Sequence, residues 1–122
     1  MNYDMTPPDN EVATRLLRNV SYAQRLPAGR LRPPVGIIPG DLRSLEEVYL
    51  HLTPDDRSLP GVNLAALAGW VGEILGDTVL SDRISRAVKA APGYVAGCLA
   101  VYELVEQRLA QARQVTGEEE MA

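Results

Sequence analysis

The chain has 122 residues, a net charge of −4 and 46% apolar residues, with no Phe, one Trp and one Cys. That length supports one domain around one core. The lone Cys98 excludes an intrachain disulfide or a multi-cysteine zinc site, and the acidic balance counts against a generic nucleic-acid surface, which must be basic to neutralise phosphates.

The charge is uneven: residues 1–40 carry +2, residues 41–82 carry −6, and residues 83–122 balance at zero. A core built from Leu, Val, Ala, Ile and five Tyr suits closely approaching helices. The expected fold is therefore all-α, a compact bundle of four to five helices in a single domain over residues 1–122, with flexible residues 1–5 and 117–122. The amino-terminal residues are polar, acidic and proline-containing, unlike a signal peptide. No run approaches the roughly 18 apolar residues of a spanning helix. A cytoplasmic protein without a membrane partner is the expectation.

Thr6-Pro7-Pro8-Asp9 reads as a helix start, with Thr6 as N-cap and Pro7 in the first helical position. Val12, Leu16, Val20 and Ala23 continue it at helical spacing, with Ala13 and Leu17 beside them, to about Leu26. Residues 27–40 hold Pro27, Pro33, Pro34 and Pro39 among three glycines, so no helix or central strand is expected there. This Pro-rich extended segment carries Val35, Ile37 and Ile38 as an apolar strap, with an edge strand as the competing reading.

Ser44 and Glu47 form a capping box for a short helix with Leu42, Leu45, Val48, Tyr49 and Leu52 inward, and Asp41 offers an alternative cap one turn earlier. Thr53-Pro54-Asp55-Asp56 repeats the cap-then-proline pattern for one turn, before Leu59-Pro60-Gly61 breaks it. Asn63 caps the next helix, whose stripe is Leu64, Leu67, Ala68, Val71 and Leu75, with Trp70 facing inward. Gly69 and Gly72 lie inside it at a propensity cost of about 1 kcal/mol each, which predicts a tight helix contact on their side. Gly76-Asp77 ends that helix and begins another, with Val79, Leu80, Ile84 and Val88 inward. After Pro92-Gly93 a long helix runs from about Tyr94 to Val115. Val95, Leu99, Tyr102, Val105, Leu109 and Ala112 form its broad face, Cys98 and Val101 lie beside it, and Gly117 stops it. Glu118-Glu119-Glu120 reads as a solvated tail.

No motif carries an evident chemistry. His51 has Asp55 and Asp56 nearby in sequence but no visible orienting geometry for a general base, and Cys98 has no neighbouring base to lower its pKa. The acidic pairs lack calcium-loop or Glu-x-x-His spacing, and no glycine pattern makes a phosphate cradle. Neither a cofactor nor a metal is expected. The one functional geometry is the helix-turn-helix-like pair over Leu64–Lys89. As a DNA reader it would present Ser81, Ser85, Arg86 and Lys89, although Asp77 and Asp82 would repel phosphates at the second helix's start.

Arg43-Ser44-Leu45-Glu46-Glu47-Val48, then Asn63-Leu64-Ala65-Ala66-Leu67-Ala68-Gly69-Trp70-Val71, then Leu75-Gly76-Asp77 with Leu80 and Ile84, resembles a small helical domain of unknown function found in archaeal and bacterial proteins. That domain reads "SLEEL", a spacer, "NDFAxWV" and "LGDxxLAxxI". The likeness covers about residues 43–84. The family's spacer often carries two histidines where this chain has only His51, no Asp-Phe follows Asn63, and Asp82 replaces a small residue. The resemblance implies a compact helical module with Trp70 in its core, and no chemistry.

The expected function is therefore a non-catalytic protein–protein interaction module: an adaptor, assembly factor or accessory subunit. Its partner surface is expected at Val35, Ile37, Ile38, Val101 and Tyr102, with a homodimer or a hetero-partner as the assembly. A small helix-turn-helix transcriptional regulator is the alternative.

Overall fold

Asn63 and Asp77 each cap a helix, and the fold is assembled around the pair of helices they start. The side-chain Oδ1 of Asn63 accepts the Ala66 N–H at 3.0 Å and that of Asp77 accepts the Leu80 N–H at 3.0 Å, satisfying amide groups that a helix start leaves open. A computed structural model describes residues 5–55 and 57–117. Its helices are α1 Asn10–Leu16, α2 Leu45–Leu52, α3 Leu64–Glu73, α4 Thr78–Ala90 and α5 Tyr94–Thr116, and its strands are β1 Leu26–Arg32, β2 Gly36–Leu42 and β3 Leu59–Gly61.

The described residues are mostly helical, with five α-helices among them, and α5 packs against α1, α2 and α4 while α3 packs on α4. Buried side chains from all five helices merge into one core that includes Leu16, Leu45, Val71, Ile84 and Val105. Trp70 is buried there, as expected of its inward place beside the stripe, and its indole N–H donates to the Gln24 carbonyl at 2.7 Å. Among the described residues, no helix is long and apolar enough to cross a membrane.

The all-α expectation is corrected by a three-stranded antiparallel sheet in the order β2-β1-β3. The Pro-rich segment is extended, as expected, but it is a hairpin arm rather than an isolated strap, and β1 is a central strand despite Pro27. The register explains how. Pro39 lies opposite Gly29 and Pro60 opposite Arg30, and residues of a central strand bond alternately to one neighbour and then the other. With Gly29 turned toward β3 and Arg30 toward β2, neither proline is asked to donate a hydrogen bond. Pro27 lies beyond the end of β3. The Pro60 carbonyl then faces away from β1, where it accepts the Tyr94 hydroxyl at 2.6 Å.

The first helix is shorter and later than its sequence pattern. Pro8 disfavours helical geometry at Pro7, so Asp9 rather than Thr6 is the N-cap, its Oδ1 accepting the Val12 N–H at 2.8 Å. The helix stops at Leu16, and the Val20 N–H instead donates to the Arg43 carbonyl at 2.7 Å, joining this stretch to the entry of α2. Met5, expected to be flexible, is buried, and its carbonyl accepts from the Gln111 side chain at 2.9 Å. Gly117, also expected to be flexible, is the left-handed C-cap of α5; the other residues expected to be flexible, 1–4 and 118–122, lie outside the described residues, and so does Asp56. The helical turn expected after Thr53 is absent from 53–55. There the Asp55 carboxylate organises a loop, accepting from the Arg57 N–H and the Ser58 hydroxyl at 2.8 Å each.

Helix α5 is rotated relative to its expected face. Gly97 meets α3 so closely that a Cβ there would lie 3.1 Å from Leu64 Cδ1. That approach directs Cys98, Val101, Leu104, Val105, Leu109 and Ala112 into the core and leaves Val95 and Leu99 outside. Arg108 shares the inward face and is 1% exposed. It reaches Asp77, itself buried, with Nε–Oδ2 at 2.7 Å and Nη2–Oδ1 at 3.0 Å, and its Nη1 donates to the Thr6 carbonyl and Gln111 Oε1. This two-pronged pair satisfies a charge that would otherwise be costly to bury.

Candidate protein-interaction surface

The β1–β2 hairpin is largely exposed beside the helical core, because only Leu26 and Leu42 at its base are buried. Alternation along the strands sends Leu26, Ala28 and Arg30 to one face and Gly29 and Leu31 to the other. On that second face Ile37, Leu31 and Leu59 are cross-strand neighbours. They form an apolar row over all three strands, and they are 76%, 40% and 44% exposed. Val35 at the turn is exposed too, and Ile38, on the opposite face, is 41% exposed.

Three of the five expected partner residues, Val35, Ile37 and Ile38, thus share the exposed arm. The other two do not join them. Val101 is fully buried, because the Gly97–Leu64 contact turns it into the core, so it is corrected from partner surface to core. Tyr102 is half-buried and stacks on Tyr49, with ring centroids 5.1 Å apart and an interplanar angle of 13°.

The residues expected to read DNA are dispersed in role. The Ser81 hydroxyl donates to the Ala68 carbonyl at 2.6 Å and so faces α3 rather than solvent, which corrects its place on the exposed side. Ser85 is half-buried; Lys89 and Arg86 are exposed, and Arg86 pairs with Asp82 at 3.0 Å one turn before it.

A trough runs from the hairpin turn along the 53–60 loop to the start of α5. It consists of three adjoining cavities of about 530, 250 and 210 Å³. Arg32 and Arg57 flank Asp55 at one end; Leu59, at the middle, leads to Leu52, Val95 and Leu99 at the other. Arg30 underpins the loop, its Nη1 donating to Ser58 Oγ at 2.7 Å and its Nη2 to the His51 carbonyl. The Arg57 N–H, followed by the Ser58 hydroxyl, holds the Asp55 carboxyl below its ordinary pKa, so this loop keeps a fixed negative charge between positive ones. Tyr94 ties α5 to the sheet edge, donating to Pro60 and accepting the Val62 N–H at 3.0 Å.

His51 is half-buried with no hydrogen bond to Nε2, and its pKa is lowered by burial and then by the charge of Arg30. Cys98 is buried at the floor of the trough's apolar end, where burial raises the thiol's pKa and keeps it protonated at neutral pH. Among the described residues, no group of three or more His, Cys, Asp or Glu is placed to hold a metal ion.

Sequence reasoning missed Leu31 and Leu59, because prolines argued against a central strand and left only an edge strand open, and only strand alternation across the paired sheet shows their common face. It missed Arg32 and Arg57 because they are 25 residues apart in number and meet only when the hairpin folds beside the loop. A usable signal was present in Arg32-Pro33-Pro34-Val35-Gly36, a turn sequence between two runs that both contain spaced aliphatic residues. No protein-family model, curated protein or solved structure matches this chain.

Proposed function

We propose that the chain is a non-catalytic protein-interaction module that holds its partner on the outward face of the hairpin arm. The observation that carries this reading is the exposed row Ile37, Leu31 and Leu59 across three strands. Fully burying an exposed aliphatic side chain of this size contributes roughly 1.5–3 kcal/mol, so covering the part that these three still expose on one face favours an assembled chain over a free one. The partner is a second copy or another protein, in keeping with an adaptor, assembly factor or accessory subunit.

The test compares the intact chain with Ile37→Asp in sedimentation across micromolar concentrations and in affinity capture from native extract. Ile37 is exposed, so the variant should keep the parent's melting temperature. Loss of self-association or of a captured protein on that substitution supports the reading. Identical sedimentation and identical captured proteins for the two chains would remove it.

A further inference from the structure

The trough has a chemistry of its own, distinct at its two ends. The guanidinium groups of Arg32 and Arg57 make no salt bridge among the described residues, whereas Arg30 behind them is fixed on Ser58 and the His51 carbonyl. The intervening Asp55 directs its two oxygens to the Arg57 N–H and Ser58. Although the charges of Arg30 and Arg32 also act on Asp55, neither the Arg32 nor the Arg57 guanidinium is closed off by a salt bridge among the described residues, and with Arg30 behind them three positive charges surround the one carboxylate at this end. A guanidinium matches a carboxylate with parallel hydrogen bonds.

At the opposite end Val95 is 63% and Leu99 48% exposed, and with Leu52 and Leu59 they offer an aliphatic lining over the buried Cys98. Because these walls remain so exposed, the trough is an open channel, unlike the enclosed cavities that bury most of a small molecule. Strand addition along β3 is also blocked, since Tyr94 occupies the outward carbonyl of Pro60. An occupant must be recognised through its side chains.

We infer that this trough takes an extended segment of a partner protein in which a carboxylate side chain precedes or follows aliphatic ones, the carboxylate meeting Arg32 and Arg57 and the aliphatic groups lying against Val95 and Leu99. The inference rests on the interaction-module reading and specifies the partner's chemistry.

The experiment pans a phage library of random twelve-residue peptides on the full chain, on Arg32→Glu/Arg57→Glu and on Val95→Ser/Leu99→Ser. All four side chains are exposed, and circular dichroism checks that each variant is folded. Peptides enriched on the intact chain should pair Asp or Glu with Leu, Ile or Val. When resynthesised, they should bind at least tenfold more weakly to either double variant, and panning on the charge-reversed chain should select Lys or Arg in place of the acid. Enrichment of peptides without that pairing, affinities unchanged by both double variants, or no enrichment at all would overturn the inference. If one of those results came with self-association or a captured partner that depends on Ile37, the trough proposal would fail while the interaction-module reading stood; if sedimentation and capture were both unaffected by Ile37→Asp, both would fail.

Discussion

Arg108 and Asp77 form a two-pronged ion pair, 2.7 and 3.0 Å long, inside a core that is otherwise almost entirely aliphatic. Asp77 has a second task as N-cap of α4, and Arg108 a second task in holding the Thr6 carbonyl. One pair thus joins α4, α5 and the segment before α1. Removing one partner of a buried pair leaves the other charge uncompensated, which typically destabilises by about 3–5 kcal/mol.

Arg108→Met should therefore lower the unfolding free energy by about that amount in urea titrations. Asp77→Asn keeps a capping oxygen while deleting the charge. The double variant should lose clearly less than the sum of the two single losses, because neither charge is then stranded. Strict additivity would show that the pair is not coupled.

The two glycines of α3 should respond oppositely to alanine. A Cβ at Gly69 meets nothing within 4 Å, whereas one at Gly72 would lie 3.0 Å from Ser81 Oγ and 3.2 Å from Ser81 Cβ. The tight contact expected for both glycines exists only at Gly72. Gly69→Ala should stabilise by up to about 1 kcal/mol through helix propensity. Gly72→Ala should give no gain, because it presses on the residue whose hydroxyl joins α4 to α3. Thermal melts of the two variants decide this, and equal shifts would contradict it.

Burial and then Arg30 lower the pKa of His51 from its ordinary 6.5. Between the lowered folded value and the unfolded one, the unfolded chain binds the proton that the folded chain refuses. Stability from this residue is thus intact above about pH 6.5 and falls as pH drops through that value toward the folded pKa. His51→Gln should flatten this part of the profile of urea midpoint against pH. As the single histidine, His51 also gives an unambiguous NMR titration; a midpoint at 6.5 would abolish the predicted dependence and one above 6.5 would reverse its sign.

Neighbouring leucines on α5 should separate core from surface. Leu104 is 1% exposed and Leu99 48%. Leu104→Ala should cost about 2–5 kcal/mol, and Leu99→Ala about 0.5 kcal/mol or less. Comparable losses at both positions in chemical denaturation would mean that α5 sits in the rotation first expected from its sequence.

Local chemistry along the chain sets the boundaries of the later helices. Ser44 and Asn63 cap the helices they were expected to cap, Asp77 caps the helix that Gly76-Asp77 was expected to begin, and Gly117 ends α5 with φ of +83°, a left-handed conformation that glycine adopts without a Cβ penalty. Trp70 reached the core because helical spacing alone fixes its side of α3. These features depend on atoms only a few residues apart.

Three other features arise only from contacts between distant parts of the chain. Prolines in β1, β2 and β3 argue locally against a sheet, and become compatible with it only when the register turns the nitrogens of Pro39 and Pro60 away from β1. A broad apolar stripe on α5 leaves its rotation open until Gly97 admits Leu64, which buries Val101 and exposes Leu99. Arg108 reads as a surface charge until Asp77, 31 residues earlier, provides its partner. Strand register, helix rotation and charge pairing all depend on groups distant in sequence, and no local propensity encodes which of those groups will meet.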